Sequence, residues 1–503
     1  MKMAKSLFLG STAGLIAIGG AQAADLPVKV KAIEYVKVCS LYGAGFYYIP
    51  GTDTCIKLGG YLRAETTLGT SYHYDAPTSF VGGAQNRLSE YYSWRARQDI
   101  SVDTRTATEY GVVRTFGEFA FTYTGGAYSG AGTGGTTYTS SIGSQVSSGT
   151  PGLYYAFIQF AGFTIGKATS QFSTPWGQYA ANAIELPGAG GWDPANQFAY
   201  TFDFGQGVTA SVSAEDPVSR SQLAIWNVSA ATAGGLAAGA YGASDFGGAR
   251  APDLIGSVTV DQAWGYFKAS AAAHNNHAAY YGATEVAGHP ADKWGWAGQV
   301  ALSIKNIPTG AGDSVSVTGV YTNGASRYNF HDYTGAPSYA MYGGTGIAGA
   351  YQSVGIAGVS DAVFVAGSGQ ELTTTYGISG GYNHNWSPQW VSSIFGAYAA
   401  VRYNATAKGY ICGAFVATLA LSSGPGGCNP DFNYAVVGTR TGWTPVKGLT
   451  FSAELAYTML DQKYASGSTV TLPVQTSIAK PAATYELKDQ NALTLLLRAQ
   501  RTF

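Results

Sequence analysis

Apolar and polar side chains alternate at every second residue along short segments of this chain, and the pattern recurs through most of its length. Leu58, Leu62, Ala64 and Leu68 alternate with Lys57, Tyr61, Arg63 and Glu65. Trp94, Ala96 and Ile100 alternate with Arg95, Arg97 and Asp99, and Val113, Phe119, Phe121 and Tyr123 with Arg114, Glu118 and Thr122. Neighbouring side chains of a strand point to opposite faces, so a period of two describes a sheet with one oily and one wet surface. A soluble sandwich alternates too, but its wet face carries charge toward bulk water. Here Asp, Glu, Lys and Arg make up 11% of the 503 residues, against roughly 25% in soluble domains. Beyond the N-terminal segment there is no apolar run of about 18 residues, which excludes a helical membrane protein. The fold that remains is all-β: a transmembrane antiparallel β-barrel, which satisfies its own backbone inside lipid. With 28 basic against 29 acidic side chains there is no basic footprint, so no nucleic acid partner is expected.

Sixteen alternating segments are expected, at 57–69, 87–103, 109–124, 153–161, 163–171, 197–204, 207–214, 254–262, 264–274, 294–306, 314–323, 372–386, 390–405, 433–444, 449–464 and 486–503. An even number is what a single-chain bacterial barrel requires. Short links such as 161–162, 205–206 and 445–448 interleave with long ones such as 125–152, 172–196, 215–253, 324–371 and 406–432. That parity matches short periplasmic turns opposite long external loops. In the last segment Leu493, Leu495, Leu497 and Ala499 share one face, while Thr494, Arg498, Gln500 and Thr502 share the other. Arg501 is the exception on the apolar face, from which its long side chain can snorkel to the interface.

Residues 1–23 read as a signal peptide: Lys2 and Lys5, an apolar stretch from Leu7 to Gly20, then Ala21-Gln22-Ala23 as cleavage site. Export places the chain where thiols oxidise. Its four cysteines, Cys39, Cys55, Cys412 and Cys428, permit three connectivities, of which the one with two local loops, Cys39 with Cys55 and Cys412 with Cys428, costs the least chain entropy and gives both loops the same spacing. The expected organisation is a signal peptide (1–23), an N-terminal periplasmic segment with a disulfide (24–56) and the barrel (57–503).

The stretch CSLYGAGFYYIPGTDTCIKLGGY, from Cys39 to Tyr61, together with ADLP at Ala24 to Pro27, resembles the N-terminal signature of the alphaproteobacterial porins of rhizobia, bradyrhizobia and brucellae. The resemblance implies a sixteen-stranded homotrimer with its third external loop folded into the pore; in such relatives a loop comparable to 125–152 latches over the neighbouring subunit, and the alternative for 125–152 is a mobile external loop. Long loops and the second cysteine pair depart from the family pattern. The terminal Phe503, closing an alternating strand, resembles the signal that such proteins present to the barrel-assembly machinery. Outer-membrane lipid and lipopolysaccharide are the implied surroundings.

Arg63, Arg95, Arg97 and Arg114 take the polar parity of the first three strands and are expected to line a pore constriction. Glu185 and Asp193 lie in the third long connection, and between Ala168 and Ser219 there is no Lys or Arg. If that loop folds inward, its acids face the arginines and set up a transverse field that favours dipolar solutes. The alternative is that the arginines pair with Glu65, Asp99 and Glu118 on neighbouring strands. Catalytic residues, metal ligands and cofactors are not expected. Gly377-Ile378-Ser379-Gly380-Gly381 has the letters of a nucleophile elbow, but lies inside an alternating segment rather than at a strand-to-helix turn. The expected function is a passive channel for small hydrophilic solutes and ions. The alternatives are a substrate-specific channel with a lumen binding site and an outer-membrane hydrolase.

Overall fold

The structure is a computed structural model, and it describes residues 37–69, 83–87, 91–125, 149–176, 186–188, 193–219, 224–330 and 338–503. The expected signal peptide, the ADLP motif, Glu185 and most of the 125–152 connection lie outside those residues. Sixteen long strands run up and down in chain order. They are β1 (Cys55–Gly69), β2 (Tyr92–Thr108), β3 (Gly111–Gly125), β4 (Thr150–Phe160), β5 (Phe163–Thr169), β6 (Pro194–Asp203), β7 (Val208–Glu215) and β8 (Asp253–Gln262). The second half comprises β9 (Gly265–Asn276), β10 (Lys293–Lys305), β11 (Ser314–Asn323), β12 (Thr374–Ser387), β13 (Trp390–Arg402), β14 (Phe432–Val446), β15 (Leu449–Gln462) and β16 (Gln490–Thr502). Each pairs antiparallel with its sequence neighbours. β1 pairs with β16 from Tyr61↔Thr502 to Gly69↔Thr494, which closes the cylinder and removes its edges.

The expected segments survive with shifted ends. The second moves most: β2 starts at Tyr92 and continues through Arg105 to Thr108, paired with β3 down to a turn at Glu109 and Tyr110. Short turns stay tight where the backbone allows positive φ, as at Ala161 (φ 48°) and Gly162 (φ 87°) between β4 and β5. Outward rows are apolar and exposed, among them Leu58, Phe119, Val300, Ile394 and Leu455. Trp390, Trp443 and Phe451 near the short-turn end, and Trp294, Trp296 and Tyr321 near the long-connection end, supply aromatic girdles.

Two expectations are corrected. The connections 324–371 and 406–432, expected to be loops, carry folded structure. Strands Ser338–Gly343, Gln352–Gly358, Thr469–Leu472 and Ala483–Leu487 form one small sheet, and Ala224–Asn227, Ala243–Ser244, Ser360–Phe364 and Glu371–Leu372 another. A helix, Ala405–Leu419, starts where the Asn404 side chain accepts the Ala407 N–H, and Cys412 ties it to Cys428. Its buried face of Ala407, Ile411, Phe415 and Leu419 packs into an apolar core shared with Trp226, Tyr241 and Tyr403.

The second correction concerns the lumen face, which is not polar all round. Phe395, Ala397, Ala399, Val401, Phe432, Tyr434 and Leu460 take the inward parity of β13, β14 and β15 and are buried. The sixth long connection, between β11 and β12, covers them from inside the cylinder. Tyr339 lays its ring 5.5 Å from Phe432 and 5.1 Å from Tyr434, so apolar wall and apolar loop exclude water together.

Candidate functional site

The rest of the lumen is wet, and strand register decides which charges meet in it. Across six consecutive strands, β14, β15, β16, β1, β2 and β3, the inward positions bring Arg440 opposite Glu454, Arg498 opposite Glu65, Glu65 opposite Arg95, and Arg63 opposite Arg97. The Glu65 carboxylate, fully buried, binds Arg95 on one side and Arg498 on the other. Removing it would leave both guanidinium groups in a low-dielectric pocket without their shared partner.

Arg63 and Arg97 stand directly opposed, and like charges in that relation repel. Their side chains turn away from each other. Arg63 Nε donates to Gln500 Oε1 on β16 (2.9 Å), with the guanidinium 4.5 Å from the Tyr61 ring. Arg97 Nε donates to Thr122 Oγ1 on β3 (2.9 Å), with its guanidinium 5.5 Å from the Tyr154 ring. Neither hydrogen bond is to an acid, so the charge stays available to the lumen. Arg63 and Arg440 both lie within electrostatic reach of Arg498, which extends the positive stripe. Nearer the short turns, Asp103 binds Arg105 and Arg114 (3.0 Å each), and Arg114 also donates to Gln159 Oε1 (2.9 Å).

The third long connection covers the facing wall. Lys268 Nζ, pointing inward from β9, donates to the Ser173 carbonyl (2.7 Å), and Gln299 Nε2 from β10 donates to the Phe172 carbonyl (2.8 Å). Trp176 Nε1 then donates to Thr318 Oγ1 on β11 (3.1 Å). Further on, Gly188 (φ 87°) lies against β12, where a Cβ would come within 2.6 Å of the Ile378 carbonyl carbon. The inward residue below it is Gly377, whose own Cβ would fall 2.9 Å from Gly188 Cα. Gly377, the first glycine in the letters of a nucleophile elbow, thus makes room for a crossing backbone, inside a strand. A space of about 380 Å³ separates Trp176 from Asn383, Ser393, Arg440 and Thr450.

The sequence-predicted residues divide as follows. Arg63, Arg95, Arg97 and Arg114 all point into the lumen, and the acids that Arg95 and Arg114 reach are Glu65 and Asp103, on neighbouring strands. Asp193, at the end of the third connection, meets Arg327 of the sixth (3.5 Å). Glu185 lies outside the described residues. Both cysteine pairs are bridged, Cys39 with Cys55 and Cys412 with Cys428. Phe503 follows β16, its N–H donating to the Gly60 carbonyl (3.1 Å). Sequence reasoning passed over Arg440 and Arg498 as pore residues, although both carry the polar parity of their strands. It also missed Trp176 and Lys268, whose roles depend on where the third connection lies.

A family profile described as "Porin subfamily" matches residues 25–496. Porin Omp2b of Brucella suis is 37% identical over 215 residues, 42% of this chain and 53% of that protein; the Brucella melitensis Omp2b is 36% identical over the same shares. The chain thus spans about half the length of the curated relatives it matches. Among solved structures, the outer membrane channel DcaP of Acinetobacter baumannii superposes with a TM-score of 0.56 at 15% identity. That likeness covers 91% of this chain and 99% of the other, and is one of fold.

Proposed function

The chain belongs to the Porin subfamily and is an integral outer-membrane protein, and from that premise we propose that it forms a water-filled channel for passive diffusion of small hydrophilic solutes and ions. The observation that carries this reading is the set of inward arginines on β14, β1 and β2, of which Arg440 borders the open space beside Trp176 of the third connection. Arg63, Arg97 and Arg440 supply the positive side of the constriction. Arg95 and Arg498 sit beside it, holding Glu65 in place, and Arg114 holds Asp103. Fixed charge on a low-dielectric wall concentrates counter-ions, so anions pass more readily than cations of the same size. Asp193, held by Arg327, anchors the return of the third connection. No bond is made or broken in this function. The working unit is a homotrimer, delivered by the barrel-assembly machinery and surrounded by lipopolysaccharide and phospholipid.

Planar-bilayer recording of the purified protein tests the proposal. The wild type should show open, ohmic steps with a reversal potential on the anion side in a salt gradient. Arg63→Gln with Arg97→Gln should move that potential toward cations. An unchanged potential in the double variant removes these residues from the constriction, and saturating block by one solute class would indicate a selective channel instead.

A further inference from the structure

Arg501 breaks the apolar outward row of β16, and its surroundings give it a role. The guanidinium reaches back over the turn between β14 and β15, where Nη1 donates to the Lys447 carbonyl, and both Arg501 and Lys447 are exposed. One step further into the barrel wall, the row Phe451–Ala499–Ala64 forms part of an apolar groove of about 600 Å³ on the outside of the cylinder. Ala64, Ala453 and Ala499 make its floor, and Trp94, Trp443 and Phe451 its rim. Small residues flanked by bulky ones cut a concavity into a surface that is otherwise convex. Among the described outward residues of β14, β15, β16 and β1, the acid Asp461 stands at the far end of β15, away from this groove.

An apolar trough that ends at two exposed cations, at the short-turn end of a membrane barrel, matches one amphiphile in both halves. We propose that this surface binds a glycerophospholipid of the periplasmic leaflet, with its phosphate on Arg501 and Lys447 and one acyl chain in the groove. Charge complementarity favours a lipid over a second copy of the chain, since a phosphate supplies the anion that the two cations face. The proposal requires only that the barrel lies in a bilayer, and stands apart from the reading of the lumen.

Native mass spectrometry of the purified full-length protein in detergent, titrated with dioleoylphosphatidylglycerol, provides the test. The wild type should retain one lipid per chain. Arg501→Gln with Lys447→Gln should weaken retention about tenfold, the loss expected for a charge-assisted hydrogen bond. Ala453→Phe, which fills the groove, should weaken it comparably, whereas Val258→Phe on the outward face of β8, on the far side of the barrel, should leave it unchanged. Each variant is first checked for the closed barrel by its heat-shifted band. Lys447→Gln alone and Ala453→Phe carry the test should the change at Arg501 prevent assembly. Equal retention by all variants overturns the proposal. So does an Ala453→Phe protein that loses its oligomeric state while retaining lipid normally, which would make the groove a subunit contact.

Discussion

Arg63 and Arg97 occupy opposed positions on β1 and β2, each tied to an uncharged partner, Gln500 and Thr122. Opposed like charges on a sheet destabilise it by roughly 0.2–1 kcal/mol. Arg97→Gln is therefore expected to raise the thermal midpoint of the barrel slightly while lowering its anion-to-cation permeability ratio, as calorimetry and reversal potentials would record. The parity of these arginines was legible in the sequence. The partner of Arg63 was not: Gln500 lies 437 positions away, and only barrel closure brings the two together. Lys480 is buried beside the small sheet of Ser338–Gly343, Gln352–Gly358, Thr469–Leu472 and Ala483–Leu487, which forms a cap on the long-connection end; its Nζ donates to Gln352 Oε1 (2.7 Å) and lies 4.5 Å from the Tyr342 ring. Burial pulls its ammonium down from 10.5 to about 8. Below that pH both folded and unfolded chains hold the proton. Between about 8 and 10.5 only the unfolded chain does, so cap stability rises with pH across that window. Hydrogen exchange, corrected for intrinsic rate, should show increasing protection of Ser338–Gly343 and Gln352–Gly358 over this range, and Lys480→Met should flatten the trend.

Among the elements, the two inward-lying connections are held by different chemistry. The third is hydrogen-bonded to the wall through Lys268, Gln299 and Thr318, while the sixth is held by apolar contact on Phe432 and Tyr434. Truncating a buried aromatic costs about 3–5 kcal/mol. Tyr339→Ala should therefore loosen the sixth connection and raise single-channel conductance, leaving the barrel's circular dichroism unchanged. The helix Ala405–Leu419 is stapled by Cys412–Cys428, which closes a loop of separation 16. Opening such a loop removes about 3 kcal/mol, so Cys412→Ser with Cys428→Ser should lower exchange protection in the helix and spare β1 to β16. The helix escaped sequence reasoning because its outer face is Gly409, Gly413, Ala417 and Thr418, which gives little contrast with the buried side. The spacing of Ala407, Ile411, Phe415 and Leu419 by four was present but faint against so many small residues.

Taken as a whole, the molecule is a closed cylinder whose exterior suits lipid and whose bore is polar along one arc, apolar and covered along another. A homotrimer of such cylinders should close in three equal conductance steps and run as one band only after boiling; a single closing step per insertion event would contradict the assembly. Period-two alternation determined the strand count, the direction each strand side chain faces and the contrast between short and long connections, because strand geometry is local and repeats along the backbone. The inward third connection was expected from the family resemblance; only the tertiary structure decided which wall residues hold it, that the sixth connection lies inside too, that Phe395, Phe432 and Tyr434 face inward yet stay dry, and that Asp193 meets Arg327. Those outcomes depend on contacts between residues far apart in the chain, and no repeat in the sequence encodes which loop fills which part of an enclosed space.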